Sequence, residues 1–434
     1  MNNTKSKEFI DPEISEEMDD LPDLVVDFGA NEKALEDIEK AKVAFHEHDG
    51  FQEHPVAVKD HQKYFSQSFR FDDSLKLTTV VQKLAKYGNP YFVGGTVRDT
   101  LMGREVKDYD VEVYDISQRD LESILSGMDE RSTLVGRQFG VFKIGQNIDV
   151  SLPRKEALIG AKHTDFDVES DPFLDKETAS RRRDFTINSL LYDIKTGKIL
   201  DFFGGREDLR NGVIKHIDDS TFVEDPLRVY RAAQFAARFG FTIHPDTLRL
   251  ASKMDLTAIS PERVYEEFKK MLLKSEQPSI GLQALDDMMV LDRYYPELAV
   301  LKTNPQSPTW HAEGDVFIHT KMVVDKAAHI IDQFTNEKDK IIVMLAALLH
   351  DIGKPAVTQQ DAEGHIIHHG HEEAGVEIAR KFLSKLTQEK DVVDDVLFIV
   401  GHHLIPAEFF RHGVNDAAFR RIINKYGMRR LTLL

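Results

Sequence analysis

The chain has 434 residues, 41% hydrophobic and 30% charged, with no cysteine and a formal charge of −18. It is too long for one ordinary core, so two to four domains are expected, and the lack of cysteine excludes disulfides, thiolate metal sites and cysteine nucleophiles. No run of about 18 apolar residues occurs, which excludes a transmembrane helix, and the N-terminus has no apolar secretion signal, so a cytoplasmic location is expected.

Residues 1–75 hold 19 acidic and 8 basic side chains, a net charge of −11 out of −18. This segment reads as an acidic, partly disordered extension. Helical spacing is confined to residues 31–47, and no chemistry is legible there. The remaining chain carries only −7, with basic clusters at Arg181, Arg182 and Arg183, at Arg228, Arg231 and Arg238, and at Lys269, Lys270 and Lys274. Local patches of this kind bind phosphates even on an acidic protein.

The texture changes near Leu77. Leu77–Tyr87 reads as a helix, Pro90–Gly94 as a short apolar strand, and Val97–Met102 as a second helix. Asp110–Tyr114 alternates as a half-buried strand does. Gly140–Ile144 and Ile148–Leu152 read as two more strands. The expectation is a small mixed sheet backed by helix over residues 76–205. Beyond about Asn188 the pattern turns helical. Asp225–Phe239 is amphipathic and closed by Gly240. Pro261–Leu273 follows Ser260 as N-cap, with proline at the first helical position. Ile341–His350 and His371–Leu386 are further helices. Divisions at 206–310 and 311–434 complete an α+β chain: a small mixed β-sheet head, then an all-α remainder.

The sharpest chemical signal is YFVGGTVRDTLMGREVKDYDVEVYD. A strand delivers Gly94 and Gly95 into a turn at a helix start, where backbone N–H groups can approach phosphate oxygens. No Gly-Lys-Ser/Thr follows, so this is not a P-loop. Asp108 and Asp110 stand two apart at a strand start and therefore share a face. Two such carboxylates can hold a pair of Mg²⁺ ions for phosphoryl chemistry, with Asp149 as a third carboxylate. Asp-x-Asp alone is common and usually a solvated turn. The order strand, Gly-Gly, helix, Asp-x-Asp is far more specific.

Two further blocks are weak singly. In RRRDFTINSLLYD, Arg182, Arg183 and Asp184 suit a triphosphate and a ribose. Alone, the triplet reads better as a surface charge run. In FVEDPLRVYRAAQFAARFGF, Glu224, Asp225 and Arg228 sit at an expected helix start. Asp225 and Arg228, three apart, offer an acceptor and a donor fork to a base edge. In isolation, a dipole-stabilising Asp with an i,i+3 ion pair is the better account.

Taken in order, GGTVRD, DYD, RRDFTIN, EDPLRVYRAAQFAARF and SPERVYEEFKKMLL resemble the bacterial class II tRNA nucleotidyltransferase and poly(A) polymerase family over roughly residues 80–310. The resemblance implies a nucleotidyltransferase head over 76–205 and a helical neck over 206–310 that binds nucleotide and RNA. It implies Asp108 and Asp110 as ligands of Mg²⁺, with Asp149 beside them. It implies Gly94, Gly95, Arg98 and Asp99 at the triphosphate, and Arg182, Arg183, Asp184 and Asn188 at ribose and phosphates. Glu224, Asp225 and Arg228 become an amino-acid template for ATP or CTP, and Arg231 is a further nucleotide-binding residue.

Histidine is concentrated late: His319, His350 beside Asp351 in LLHDIGKP, His368, His369 and His371, and His402 and His403. A single helix histidine is usually a polar surface or capping residue. Seven in four clusters, one of them His-Asp-x-Gly-Lys, point to a metal site for phosphate esters. Residues 311–434 resemble the HD phosphohydrolase superfamily. That resemblance implies His319, His350 and Asp351 as metal ligands, with His371 and His402 as the extra histidines of two-metal members. The ion's identity is not legible. The motif's final Asp is not found before Leu434, and a truncated domain is expected.

The leading expectation is template-independent CCA addition to the 3′ end of tRNA from CTP and ATP, releasing pyrophosphate. CC addition, A addition and poly(A) synthesis share every motif and differ in a flexible loop expected within residues 115–140. A hydrolase whose head only binds nucleotide is the alternative from another class, and the intact Asp108, Asp110 and Arg228 oppose it. A non-catalytic RNA-binding module finds no stacking signature. No membrane partner is expected, and the oligomeric state is not legible.

Overall fold

The computed structural model describes residues 75–126, 133–134, 141–158, 166–309, 311–412 and 416–434. The expected acidic extension, its helical spacing over 31–47, and residues 127–132 and 135–140 of the expected loop lie outside the described residues.

Helix α1 (Leu75–Tyr87) leads into strand β1 (Asn89–Val93), four of whose five residues are buried. Gly94 turns the chain at φ 59° into helix α2 (Gly95–Leu101). Strand β2 (Tyr109–Tyr114) follows, then helix α3 (Gln118–Ser126), which occupies part of the segment expected to be a loop. Leu121 and Leu125, four apart on α3, are buried, and that apolar stripe turns the segment helical. Strands β3 (Thr133–Leu134), β4 (Val141–Ile144), β5 (Ile148–Ser151), β6 (Leu191–Asp193) and β7 (Ile199–Leu200) complete a seven-stranded sheet. Its order is β3-β4-β5-β2-β1-β6-β7. Only β2 and β5 run parallel; the other neighbours are antiparallel. The sheet is mixed, as expected. A separate hairpin pairs Arg154–Leu158 with Phe166–Ser170.

The parallel pair sets the site's geometry, because Asp110 stands directly opposite Asp149. Paired residues of neighbouring strands project to one face.

Helix α4 (Lys176–Arg181), a 3₁₀ turn (Thr186–Asn188) and helix α5 (Gly205–Asn211) lead out of the sheet region. A helix was expected over Asp225–Phe239. It begins two residues later, as α7 (Leu227–Phe239), after a short helix α6 (Asp219–Glu224) and a break at Asp225. Pro226 explains the break: it restricts its predecessor to extended backbone, and Asp225 adopts φ −121°, ψ 96°. Helix α8 (Pro261–Leu273) matches its expected bounds, and Ser260 is its N-cap by position, without a side-chain capping bond. Helix α9 (Pro278–Asp287) packs beside α7.

The later helices are α10 (Val316–Ile330), α11 (Glu337–Leu349), α12 (His371–Leu383) and α13 (Lys390–Val400). Their core includes Val324, Ile342, Leu345, Leu349, Phe382 and Val396, all essentially inaccessible. Two short helices, Ile405–His412 and Asp416–Tyr426, and a final one, Met428–Leu433, follow. Among the described residues no helix is long and apolar enough to cross a membrane.

Candidate functional site

A cavity of about 580 Å³ opens where β1 and β2 face α7 and α8. Gly94 and Gly95 form one wall. Gly94 combines a positive φ with crowding, since a Cβ there would lie 3.0 Å from Arg183 Nη1. A side chain would be strained by the backbone and would displace that guanidinium.

Thr96, essentially buried, ties the glycine turn to the carboxylates. Its hydroxyl donates to the Asp108 carbonyl at 3.3 Å and accepts from the Asp110 amide at 2.8 Å. A threonine beside the glycines was the only signal of this role in the sequence. Asp110 lines the cavity. Burial, with Asp149 and Asp108 nearby, pushes its carboxyl up to about 6 against the pull of Arg183. Burial also raises Asp149, against Lys143 and with help from Asp108. Asp149 Oδ1 is buried and makes no hydrogen bond within the described residues, with Lys143 Nζ 3.9 Å away. Crowded carboxylates that raise one another's pKa values are relieved by a cation.

Glu112 also lines the cavity and was missed. It continues the face of Asp108 and Asp110 at the next i+2 position, and that alternation was its available signal. It is 8% exposed, receives the Tyr114 hydroxyl at 2.6 Å, and lies 3.6 Å from Arg183 Nη2.

Arg98, Arg182, Arg183, Asp184, Asn188, Asp225, Arg228 and Arg231 all reach the same cavity. Asp99, Asp108, Asp149 and Glu224 are not among its lining residues. Asp99 stands behind, clamping Arg98 through two hydrogen bonds of 2.8 and 2.9 Å. Arg98 Nη1 donates to Asn188 Oδ1 at 2.6 Å, and Asn188 Nδ2 donates to Asp184 Oδ1 at 2.9 Å. Asp184 Oδ2 receives Arg231 Nε and Nη2 at 2.8 and 2.6 Å. Burial alone would raise the Asp184 carboxyl, but Arg231 and Asn188 outweigh it and hold it below its usual range. Asp184 therefore orients Arg231, where a direct ribose contact was expected.

The Arg228 amide donates to the Asp225 carbonyl at 3.0 Å, and the two side chains take other partners. Arg263 Nη2 donates to Asp225 at 3.2 and 3.3 Å. Arg228 donates to the Thr221 carbonyl and, at 2.7 Å, to that of Arg182. Both side chains are thus fixed from behind while facing the cavity. Arg154, Arg238, Lys270 and Lys274 extend its basic lining. Nine cationic side chains face four acidic ones there, which explains how a chain of −18 can accept a polyanion.

The late histidines form a second constellation around Asp351, which is 3% exposed. Its Oδ2 lies 3.1 Å from His350 Nε2, 3.6 Å from His319 Nε2 and 2.7 Å from Lys354 Nζ. Its Oδ1 lies 3.3 Å from His371 Nε2 and 3.9 Å from His403 Nε2. Two groups able to hold an ion share Asp351: His319 and His350 on one side, His371 and His403 on the other. Burial lowers His319 and drives His403 down to about 4, so both imidazoles are neutral near pH 7, as metal ligation requires.

His402, expected as a ligand, is outside both groups. Its ring stacks on Phe398 at 4.4 Å and its Nδ1 meets the Phe398 carbonyl, while His403 takes the inward position. Adjacent residues point in different directions, and the sequence offers no means to choose between them. Gly353 permits the approach of α12, for a Cβ there would lie 2.0 Å from the His371 carbonyl oxygen and 2.5 Å from the Gly375 nitrogen.

Three family matches cover most of the described chain: the Poly A polymerase head domain at residues 90–215, the probable RNA- and SrmB-binding site of polymerase A at 240–301, and the HD domain at 316–420. A Multifunctional CCA protein of Stenotrophomonas maltophilia (strain K279a) is 38% identical over 306 residues, 68% of this chain and 71% of that protein. One from Pasteurella multocida (strain Pm70) is 38% identical over 303 residues, 68% and 69% of the two chains. Among solved structures, the Thermotoga maritima CCA-adding enzyme complexed with tRNA has a similar fold, with a TM-score of 0.53 at 19% identity, covering 86% of this chain and 84% of that one.

Two outcomes follow from this geometry. Asp184→Asn should destabilise the chain by roughly 3 kcal/mol at pH 7, because a largely buried ion pair loses one partner. A carboxyl held low in the folded state stabilises it above the ordinary Asp pKa of about 3.9, so the gap to wild type should close as pH falls through and below that value. Denaturant melts at pH 7 and pH 3 decide it, and equal stability at pH 7 would contradict the clamp. Gly353→Ala should cost about 1–3 kcal/mol through overpacking against backbone. An unchanged thermal melt would show that α12 can give way.

Proposed function

The chain belongs to the family of CCA-adding tRNA nucleotidyltransferases and poly(A) polymerases, and on that premise we propose that it adds CCA to the 3′ end of tRNA without a template, using CTP and ATP and releasing pyrophosphate. One observation carries this reading: a single cavity brings together the glycine turn, the carboxylate strand, the Arg182–Arg183 pair, and Asp225 with Arg228.

Asp110, Asp149 and Asp108 suit Mg²⁺, since they repel one another electrostatically and Asp149 presents a buried oxygen without a hydrogen-bonding partner among the described residues. Mg²⁺ bound there would supply activation of the 3′-hydroxyl and charge neutralisation on the phosphates. The chain's own groups do the rest. Arg182 and Arg183 face the triphosphate, and the Gly94–Gly95 backbone lets it approach. Asp225 accepts from and Arg228 donates to the edge of the incoming base. Their backing by Arg263 and by two carbonyls limits movement, so a wrong base leaves a partner unsatisfied. Arg238, Lys270 and Lys274 extend the basic lining and suit the RNA backbone.

The cluster around Asp351 supports a second activity, hydrolysis of phosphate esters at a divalent-metal centre. We assign its ligands as His319, His350, Asp351, His371 and His403. The identity of that ion is left to measurement.

Purified protein with Mg²⁺ is expected to extend a tRNA lacking its terminal CCA, adding C residues with CTP alone and completing CCA with both nucleotides. No extension with any nucleotide would sink the proposal, and extension by A alone would redirect it to A addition or poly(A) synthesis. Asp110→Ala is expected to lower the rate by on the order of 10²–10³-fold or more, as loss of transition-state charge stabilisation does. In Asp225→Ala, the preference for CTP and ATP over UTP and GTP should fall roughly 5- to 150-fold, the worth of one buried hydrogen bond at about 1–3 kcal/mol. Selectivity that survives intact would remove Asp225 from base recognition.

A further inference from the structure

The ring of groups around Asp351 leans on two residues upstream of it. His311 and Glu313 lie in the turn before α10, ahead of residue 316 where the HD match begins. Glu313 Oε1 is 2.7 Å from His319 Nδ1 and 3.0 Å from His311 Nδ1. The far nitrogen of His319, Nε2, faces Asp351 Oδ2 at 3.6 Å. The His311 and His319 rings meet edge to face with centroids 4.7 Å apart.

A neutral imidazole has one N–H and one lone pair, so the partner of one nitrogen fixes the role of the other. A carboxylate accepts and does not donate. Glu313 therefore selects the His319 tautomer with its proton on Nδ1, and the Nε2 lone pair points at Asp351. The opposite tautomer would set a lone pair against a carboxylate oxygen at 2.7 Å. The 3.6 Å gap from Nε2 to Oδ2 exceeds a hydrogen bond. It suits an ion between them, because two ligands at about 2.0–2.2 Å in near-tetrahedral array lie roughly 3.4 Å apart.

We propose that Glu313 is the positioning carboxylate of the His–Asp centre: it holds the Nδ1 proton of His319, aims Nε2 at a divalent ion, and is itself held by His311. This rests on reading the cluster as a metal centre. Glu313 is not assigned as a ligand, because its Oε1 is already shared by two imidazole N–H groups. Partners of this kind orient ligating histidines and raise their basicity.

The test uses the full chain with Co²⁺ as probe, followed by the visible bands that imidazole ligation gives, and ¹⁵N–¹H spectra of the histidine rings without metal. His350→Ala should abolish the bands. Glu313→Ala should weaken Co²⁺ binding about 10- to 100-fold, the usual effect of losing such a partner, and should leave His319 as a mixture of tautomers. Glu313→Gln, which still offers an amide oxygen, should fall between the two, and His311→Ala should lose less than Glu313→Ala. tRNA extension should be unchanged in the Glu313 and His311 variants, which reports that they fold. Wild-type affinity and an unchanged His319 tautomer in Glu313→Ala would overturn the proposal while leaving the metal centre standing. Loss of one bound ion in both Glu313→Ala and His311→Ala, with the His350-dependent ion retained, would overturn it in favour of a separate site. Equal Co²⁺ binding by wild type and His350→Ala would sink the metal centre itself, and the proposal with it.

Discussion

A buried relay of charge runs from the glycine turn to the helices that face it. Asp99 clamps Arg98, Arg98 reaches Asn188, Asn188 bonds Asp184, and Asp184 takes the fork of Arg231. Arg98, Asn188 and Asp184 are each under 9% exposed, so these three must find their partners within the protein. The relay connects α2, the 3₁₀ turn and α7, three elements distant in sequence. Arg98 also lies over the rings of Phe235 and Phe239, at 5.1 and 4.8 Å, which seats its charge against the α7 core. If any member shifts, an uncompensated charge is left behind, and this cooperativity holds the cavity walls in one arrangement.

The cavity this relay supports is polarised. Two of its four carboxylates, Asp110 and Glu112, sit on the sheet face, the other two, Asp184 and Asp225, are held by Arg231 and Arg263, and most of its cations come from the helices and the turn after α4. Repulsion among Asp110, Asp149 and Asp108 makes the sheet side attractive to a cation. The arginines and lysines opposite make the other side attractive to phosphate. A metal-bound nucleoside triphosphate carries both needs, and the spatial separation of charge orients it before any base contact forms.

The histidine cluster uses a different device. One carboxylate, Asp351, stands among four imidazoles and an ammonium from separate elements. Two glycines, Gly353 and Gly375, let backbone meet backbone so that α12 can bring His371 to it. Packing therefore supplies the convergence, and the charges supply its cost and its use.

Local pattern was enough for several features. Alternation in DYDVEVY placed Asp110 on one strand face, the glycine pair marked the turn, and Ser260-Pro261 marked the start of α8, because strand period, turn chemistry and helix starts depend on near neighbours. The break at Asp225 also has a local cause, the proline after it, although the expected helix was begun at Asp225 itself. What only the tertiary structure decided were matters of partnership across the chain. Asp149 meets Asp110 through a strand register, and Asp184 serves Arg231 because α7 passes beside it. Thr96 and Glu112 join the site through their neighbours, and His403 rather than His402 turns toward Asp351 while His402 stacks on Phe398. Such choices depend on where distant segments come to rest. Side-chain type and spacing limit them to a few candidates, and packing selects among those.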